Sequence, residues 1–340
     1  MTTDVITYVG LGDSYAAGVG GMARRNLCWR AQNGYPVQVA RSLGVGVAYQ
    51  ACLGATIADV LEHQVDALGR GTAYVSITVG GNDIGFVPVL IAAAEPAWMR
   101  DSDPVIDGAL ATMRGVLAAR LDGLYATVRD RAPDAQVVVT GYPRLFNGVE
   151  DCNLATFFSP HEMARLNAAG DELNSVVAGA AERAGFRYAD AATPFVGHAV
   201  CDGSEWVNGV SWPVEGSFHP NSLGHNAYAR LVADAFGAAA AETAQPQAAD
   251  LPVVEGPCIP GSAPTFRLPD LLSARSLEGA RAAGLDPREV RREARTLYAA
   301  MPTGEGTAIP IPRAAYAAAA RLAELDAQVR AERGQPRMEP

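Results

Sequence analysis

Short apolar runs rich in β-branched residues alternate with amphipathic stretches over the first two thirds of the chain. Five such runs lie at residues 5–9, 45–50, 73–79, 135–140 and 186–190. Runs of this kind are typical of parallel strands that are buried on both faces, and helical patterns separate them. The pattern therefore predicts a doubly wound α/β fold, with a closing helix over about residues 222–241.

The first run ends at Gly12-Asp13-Ser14, which places a serine hydroxyl where a helix is expected to begin. Gly10 and Gly12 allow the backbone to bend sharply after the strand. A hydroxyl at this point lies near backbone N–H groups that can stabilise an anion. The tripeptide alone is more typical of an ordinary turn, so its meaning depends on the residues at the ends of the other strands.

Small and polar residues also come after the other predicted strands. Gly54 comes shortly after the second strand, a Gly-Gly-Asn-Asp segment at residues 80–83 directly follows the third, and His219 precedes the closing helix. Ligands of doubly wound sheets bind beyond the carboxyl ends of the strands, so these residues are expected to converge with Ser14. Together they supply a nucleophile, a base and oxyanion donors, which are the groups that acyl transfer requires.

These residues resemble, in order and spacing, the four sequence blocks of the SGNH or GDSL hydrolases. The blocks are Gly12-Asp13-Ser14, Gly54, Gly80-Gly81-Asn82-Asp83 and His219-Pro220-Asn221. The resemblance spans residues 4 to about 241. It implies a flavodoxin-like three-layer α/β/α sandwich with a five-stranded parallel sheet, and a serine carboxylic-ester hydrolase of the esterase or lipase type.

The resemblance also implies a role for each site residue. Ser14 would attack the ester carbonyl, and His219 would act as general base and then as general acid. The oxyanion hole would consist of the Ser14 N–H, the Gly54 N–H and the Asn82 side chain. No cofactor or metal is expected, since the other histidines lack metal-ligand spacing. An inactive binding module that keeps the fold is the competing interpretation.

One position departs from the common family pattern. Many members carry an aspartate three residues before the histidine, but Gly216 stands there. The chain instead resembles the actinomycete extracellular lipase and phospholipase branch, in which a backbone carbonyl two residues before the histidine orients the ring. That role would fall to the Ser217 carbonyl, with the Glu215 carboxylate as the competing candidate. A neutral carbonyl stabilises imidazolium less than a carboxylate does, so the expected cost is in rate.

Two cysteine pairs resemble disulfides of the secreted lipases. They are Cys28 with Cys52 and Cys152 with Cys201, which leaves Cys258 unpaired. Five reduced thiols in a cytosolic enzyme are the alternative, because sequence alone does not establish connectivity. The cysteine pairs favour secretion, whereas no signal-peptide pattern precedes the first strand, which favours a cytoplasmic location.

Composition excludes some partners. The 27 basic residues are all arginine and face 37 acidic residues, for a net charge of −10. An acidic surface repels phosphate backbones, so we expect no nucleic-acid partner. No apolar run reaches the ~18–20 residues that span a bilayer. Absence of lysine alongside abundant alanine, arginine and glycine indicates GC-rich coding, consistent with an actinomycete origin.

Breaks in the helical pattern divide the chain. We expect a catalytic domain over residues 1–243, a Pro- and Gly-containing linker or strap over 244–265, and a helical extension over 266–340. Packing of the extension on the hydrolase or on a second copy is the main interpretation. A substrate lid or a carrier-protein docking surface is the alternative.

Three helices are predicted in the extension. The first is a short one around Leu271–Leu277, and the third covers about Arg313–Arg330. The second begins at Asp286 and Pro287, which suit an N-cap and a first helical position, and Glu289 is expected to complete a capping box.

The substrate stays open at this stage. The lipase branch favours acyl esters of lipids or small alcohols, but a specific metabolite ester, or acyl transfer to an alcohol, would use the same acyl-enzyme. Asp13 and Asp83 are expected to cap helix N–H groups and so to support Ser14 and Asn82. Large apolar residues after strand ends are candidates for an acyl pocket: Trp98, Met99, Phe146, Phe157, Phe158 and Phe195.

Overall fold

The computed structural model of the protein describes residues 6–22, 26–238, 251–302 and 311–334. Within these ranges, six parallel strands form one sheet. In chain order they are β1 (Ile6–Gly12), β2 (Gly46–Tyr49), β3 (Tyr74–Thr78), β4 (Gln136–Thr140), β5 (Arg187–Ala189) and β6 (Val253–Glu255). Across the sheet the order is β5-β4-β3-β1-β2-β6. The winding direction reverses between β1 and β3, where a doubly wound sheet opens a crevice for ligands.

Helices connect the strands and continue beyond the sheet. They are α1 (Ser14–Ala17), α2 (Tyr35–Leu43), α3 (Ile57–His63), α4 (Phe86–Ala94), α5 (Asp103–Thr112), α6 (Ala118–Arg131), α7 (Pro160–Arg183), α8 (Ser222–Phe236), α9 (Ala274–Ala282), α10 (Pro287–Tyr298) and α11 (Arg313–Glu332). Helices α2 and α8 pack together on one face of the sheet, and α3, α6 and α7 pack on the other. The predicted three-layer α/β/α sandwich is therefore confirmed.

The prediction of five strands was wrong by one. The sixth strand, β6, lies inside the segment predicted as a linker and pairs in parallel with β2, from Val47 opposite Val253 to Tyr49 opposite Glu255. A strand of three residues shows no periodicity of its own, and this one is bordered by Pro252 and Gly256. Its pairing depends on the exposed edge of β2, which the local sequence does not reveal.

The closing helix is shorter than predicted. Helix α8 ends at Phe236, because Gly237 adopts a left-handed conformation with a φ of 77°. Its N–H bonds back to the carbonyl groups of Ala233 and Asp234, which is the usual way in which a glycine ends a helix. The end predicted at residue 241 lies outside the described residues.

Three helices form in the extension and share a second apolar core. The second and third match their predicted positions, whereas α9 begins at Ala274 and ends at Ala282, later than the predicted Leu271–Leu277. Leu277, Val290, Leu297 and Leu322 are buried in it, together with Trp98 of the first unit. Arg330 on α11 strengthens this contact, because its guanidinium lies 3.1 Å from Glu162 and donates to the Phe157 carbonyl at 2.9 Å. The extension thus packs directly on the α/β unit.

The expected capping box at the start of α10 does not form. The Asp286 side chain accepts from the Arg288 N–H, as an N-cap residue should. Glu289 instead pairs with Arg321 of α11 at 2.8 Å. A partner 32 residues away therefore replaces the local one.

Both predicted disulfides are present, Cys28–Cys52 and Cys152–Cys201. Cys258 is a free, exposed cysteine, and its sulfur accepts a hydrogen bond from the Cys28 N–H at 3.2 Å. In the part of the chain that the structure describes, no helix combines the length and the apolar character required to cross a bilayer.

Candidate active site

The site begins at the carboxyl end of β1, where the chain turns abruptly into α1. Gly12 has a φ of +129°, and a Cβ on it would lie 2.1 Å from the Thr78 carbonyl oxygen, so only glycine fits there. The Asp13 N–H donates to the same carbonyl oxygen at 2.9 Å, which holds the turn against β3. This turn places Ser14 at the first position of α1, where it is almost completely buried.

His219 lies directly against Ser14. Its Nε2 is 2.8 Å from the Ser14 Oγ, and its Nδ1 is 2.9 Å from the Ser217 carbonyl oxygen. Because a carbonyl oxygen only accepts hydrogen bonds, Nδ1 carries the proton of the neutral ring. Nε2 is then left to accept from the Ser14 hydroxyl, which is the arrangement of a nucleophile and its base.

The carbonyl of Ser217 thus occupies the place that a carboxylate fills in a Ser-His-Asp site. Glu215 lines the same cleft, but no described carboxylate bonds to the His219 ring. Burial lowers the pKa of His219 to about 4, although the Ser217 carbonyl acts in the opposite direction. The ring is therefore held neutral, in the protonation state that a general base needs.

Two residues that the sequence did not indicate hold the histidine loop. The Tyr15 hydroxyl donates to the Phe218 carbonyl at 2.9 Å. The Asn208 N–H donates to the His219 carbonyl at 2.9 Å, and the Asn208 carbonyl accepts from the Phe218 N–H at 3.0 Å. Asn208 also donates from its side chain to the Gly216 carbonyl at 3.2 Å.

The predicted oxyanion donors lie beside Ser14 in the same cleft. Gly54 is in the loop before α3, and Asn82 begins the 3₁₀ turn after β3. The Asn82 Nδ2 donates one hydrogen to the Ala55 carbonyl at 2.9 Å. An amide nitrogen carries two hydrogens, so the second stays available for a ligand. This bond also ties the Asn82 turn to the Gly54 loop.

Asp83 also joins the Asn82 turn to the Gly54 loop, but it does not cap the turn in which it lies. Its carboxylate accepts from the N–H of Ile57, the first residue of α3, at 3.0 Å. Burial raises the pKa of Asp83 to about 6, against the effect of this bond and of Arg120. Asp83 therefore caps α3, the helix that follows the Gly54 loop.

Asp13 caps α1 as expected and has a second partner that the sequence did not indicate. One oxygen accepts from the Tyr15 N–H at 2.9 Å, and the other accepts from the Tyr142 hydroxyl at 2.6 Å. Tyr142 Oη in turn accepts from the Gly81 N–H at 3.2 Å. Burial raises the pKa of Asp13 to about 7. This chain of bonds connects the Ser14 turn to the loop of Asn82.

An apolar cleft of about 840 Å³, including its open mouth, leads to Ser14 and His219. Its lining is mostly apolar, which suits contact with part of an acyl chain. Its apolar walls come mainly from α4, α7, the segment after β4 and the chain after β6: Phe86, Val87, Leu90, Leu145, Leu166, Leu173, Pro264 and Phe266.

The six residues that the sequence suggested for an acyl pocket do not line this cleft, so that prediction was wrong. Trp98, Met99 and Phe157 pack against the helical extension. Phe146 and Phe158 pack behind Phe218, and Phe195 packs on Trp206 and Tyr228. Position after a strand indicates the correct edge of the sheet, but not which side chains face the cleft.

Metal ligands are sparse in the described ranges. The single group of three close candidates there is Cys152, Cys201 and Glu205. Its two cysteines are joined in a disulfide and offer no thiolate to a metal.

The comparisons with known proteins agree with this geometry. A model of the GDSL-like lipase/acylhydrolase family matches residues 11–227. A lipase of Streptomyces rimosus is 39% identical over 226 residues, which cover 64% of this chain and 82% of that protein. Lipase 1 of Streptomyces coelicolor is 36% identical over 227 residues, with the same two shares.

Solved structures point the same way. The crystal structure of the extracellular lipase from S. rimosus superposes with a TM-score of 0.63 at 36% identity, covering 68% of this chain and 100% of that one. Phospholipase A1 from Streptomyces albidoflavus also gives a TM-score of 0.63, at 34% identity, covering 68% of this chain and 98% of that one. Because the family model spans more than half of its residues, this chain belongs to the GDSL-like lipase/acylhydrolase family and is a carboxylic-ester hydrolase.

Proposed function

We propose that this hydrolase cleaves acyl esters through a covalent acyl-enzyme on Ser14, with His219 as the general base and acid. The observation that carries the proposal is the 2.8 Å contact between Ser14 Oγ and His219 Nε2, on a ring whose other nitrogen bonds to the Ser217 carbonyl. These contacts support Ser14 as the nucleophile and transfer of its proton to Nε2 of His219.

In the first half of the reaction, Ser14 Oγ bonds to the ester carbonyl carbon while its proton moves to His219 Nε2. The carbonyl oxygen becomes an oxyanion, which the N–H groups of Ser14 and Gly54 and the Asn82 amide stabilise. The bond to the alcohol oxygen then breaks, and the alcohol leaves with the proton from His219. In the second half, the oxygen of water bonds to the acyl carbon while His219 Nε2 takes a proton from that water. The bond from the acyl carbon to Ser14 Oγ then breaks, the acid leaves, and His219 returns the proton to Ser14 Oγ.

No carboxylate among the described residues bonds to His219, and we expect this to affect the rate rather than the sequence of steps. The Ser217 carbonyl holds the Nδ1 proton in place and so selects the correct tautomer. It carries only a partial charge, so it stabilises the imidazolium less than a carboxylate would.

The apolar walls of the cleft favour a lipid acyl ester as the substrate. Aliphatic side chains such as Leu90, Leu166 and Leu173 offer an acyl chain apolar contacts without competing hydrogen bonds. Similar proteins are named lipase and phospholipase A1, which supports the same substrate class.

The test combines labelling with turnover on the full chain. A fluorophosphonate probe should label Ser14, identified by peptide mass spectrometry, and p-nitrophenyl esters from acetate to palmitate should be hydrolysed. Failure to label Ser14, or labelling of another serine, would overturn the proposed nucleophile. Slow hydrolysis that accelerates when an alcohol acceptor is added would favour acyl transfer instead.

The pH profile provides a further prediction. Burial lowers the pKa of His219 to about 4, and a general base works only while neutral, above its pKa. We therefore expect kcat/KM to stay constant as the pH falls through about 6 and to reach half its value near pH 4. The measurement is kcat/KM between pH 3.5 and 8 on a soluble short-chain ester.

Control of the pH profile by Asp13 instead of His219 would give a different midpoint. Its pKa lies at about 7, and it is adjacent to Ser14 in the chain. A midpoint near pH 7 that disappears in Asp13→Asn would assign the control to Asp13 and contradict the assignment to His219. His225 is buried nearby with a pKa lowered to about 4, so His225→Gln is the control that separates the two histidines.

A further inference from the structure

The segment after β6 crosses from the sheet edge to the mouth of the cleft. We define it as the strap, residues 256–266. It lies beyond residue 227, where the match to the family model ends. We propose that the strap is part of the active site, where it positions the Gly54 loop and where Phe266 limits the length of the acyl chain. This inference rests on the proposed acyl-enzyme at Ser14.

The strap is anchored at its start by a fully buried arginine. Arg30 donates to the carbonyl groups of Gly256 at 2.8 Å and Pro257 at 3.0 Å. The same guanidinium donates to the carbonyl groups of Gln50 and Ala51 at 2.9 and 2.8 Å. Four charge-assisted bonds from one buried group hold the strap and the end of β2 in a single arrangement.

Further along, the strap bonds directly to the loop that carries the predicted oxyanion donor. The Gly261 N–H donates to the Leu53 carbonyl at 2.9 Å, and the Ala263 N–H donates to the Gly54 carbonyl at 3.0 Å. Ser262 donates from its N–H and its hydroxyl to Asp59, at 3.0 and 2.8 Å. The backbone carbonyl groups of Leu53 and Gly54 therefore both accept hydrogen bonds from the strap.

The approach between the two backbones is very close. A Cβ on Gly261 would lie 2.0 Å from the Gly54 carbonyl carbon and 2.1 Å from the Ala55 nitrogen. Backbone atoms cannot yield in the way that the end of a flexible side chain can. Any side chain at position 261 must therefore displace either the strap or the Gly54 loop.

The end of the strap forms one wall of the cleft. Pro264, Thr265 and Phe266 line it together with Ser14 and His219. Phe266 as a residue is 5% exposed.

Phe266 also contacts the histidine loop. Its ring packs edge-on against Phe218, with 4.9 Å between the ring centroids. Phe218 precedes His219 and holds a φ of 59°, a conformation that is rare for a bulky residue. Phe266 therefore borders both the acyl space and the backbone that presents the base.

Two substitutions in opposite directions test the limit on chain length. Phe266→Ala should enlarge the cleft and raise the ratio of kcat/KM for p-nitrophenyl laurate over butyrate by about tenfold, and Phe266→Trp should lower it. Phe236→Ala is the matched control, since Phe236 is 6% exposed and packs on Tyr74 at the opposite end of the strands. It should leave the ratio unchanged.

A ratio that stays within about twofold of the parent in both Phe266 variants would overturn the role of Phe266. If circular dichroism shows that Phe266→Ala is unfolded, Phe266→Leu takes its place beside Phe266→Trp. Fluorophosphonate labelling of Ser14 is measured on every preparation. Absence of label in the parent chain would refute the proposed function, whereas normal labelling with an unchanged ratio would refute the strap proposal alone.

Gly261→Ala tests the positioning role. Displacement of Gly54 should lower kcat about tenfold at every chain length, with little change in KM, because an oxyanion donor acts in the transition state. Gly71→Ala is the control, since a Cβ there meets nothing within 4 Å. An unchanged kcat in folded Gly261→Ala would overturn the positioning role.

If Gly261→Ala is unfolded, Ser262→Ala takes its place, because it removes the hydroxyl bond to Asp59. This variant should lower kcat without changing KM. An unchanged kcat would overturn the positioning role.

Discussion

Replacing Ser14 with alanine is expected to lower kcat for p-nitrophenyl esters by about 10⁵-fold while the protein stays folded. The hydroxyl is the only group of that side chain that the reaction uses, and it lies 2.8 Å from the base. Loss of one oxygen at an almost fully buried position leaves the α1 turn intact, since Asp13 caps it through the Tyr15 N–H. The measurement is steady-state hydrolysis with a thermal melt of both proteins.

Ser175→Ala provides the control, because Ser175 is an exposed serine on α7 that bonds only to its own helix. Its kcat should equal that of the parent chain. Residual activity of Ser14→Ala within tenfold of the parent would rule out Ser14 as the nucleophile. A fluorophosphonate should no longer label the variant at residue 14.

Replacing His219 with alanine is the second large effect, with an expected loss in kcat of about 10⁵-fold. Without the ring, no described side chain is hydrogen-bonded to Ser14 Oγ to take its proton. Since the two residues act on the same proton, the double variant Ser14→Ala/His219→Ala should be no slower than either single variant. Added imidazole should restore part of the activity of His219→Ala, because the deleted ring leaves space beside the hydroxyl.

His63→Ala is the matched control, because His63 is a partly exposed histidine on α3 whose ring lies 3.9 Å from the carboxylate of its neighbour Glu62. It should behave as the parent does. A loss for His219→Ala that multiplies with the loss for Ser14→Ala would show that the two side chains act independently, which contradicts the proposed transfer. Rescue by imidazole in Ser14→Ala would contradict it as well.

The strap changes how the extension relates to catalysis. In the structure, the chain returns from the sheet edge to the cleft before it forms α9 to α11. Phe266 lies in the cleft and the three helices pack beside it against residues such as Trp98. A truncation before residue 256 would therefore remove a wall of the site along with the helices. The single substitutions in the strap alter the wall of the site while the helices stay in place, so they separate the loss of the wall from the loss of the helices.

The candidate site residues could be located from the sequence because each stands in a local pattern. Ser14, Gly54 and Asn82 come after short apolar runs rich in β-branched residues, which favour buried strands, and His219 precedes a strong helix start at Asn221. In a doubly wound sheet, the carboxyl ends of the strands meet at one edge, so convergence results from the order of elements. Family resemblance then assigned a role to each position.

The supporting residues were not predictable in this way. Tyr142 reaches Asp13 across 129 positions in the chain, and Tyr15 reaches the Phe218 carbonyl across 203. A tyrosine in a buried segment is typical of any core, and nothing near it in sequence shows where its hydroxyl bonds. The choice between Glu215 and the Ser217 carbonyl likewise depended on loop geometry, which Asn208 and Tyr15 control.

The cysteine pairs came from the family resemblance, because sequence alone does not establish connectivity. By itself, the sequence determined the α/β architecture and the set of groups able to perform acyl transfer. These depend on periodicity, turn chemistry and spacing, which are local. Only the tertiary structure decided the edge pairing of β6, the walls of the cleft and the return of the strap to Gly54. These depend on close contacts between distant segments, such as Gly261 against Gly54, and the energy of such contacts comes from shape and hydrogen-bond partners that no short stretch of residues contains.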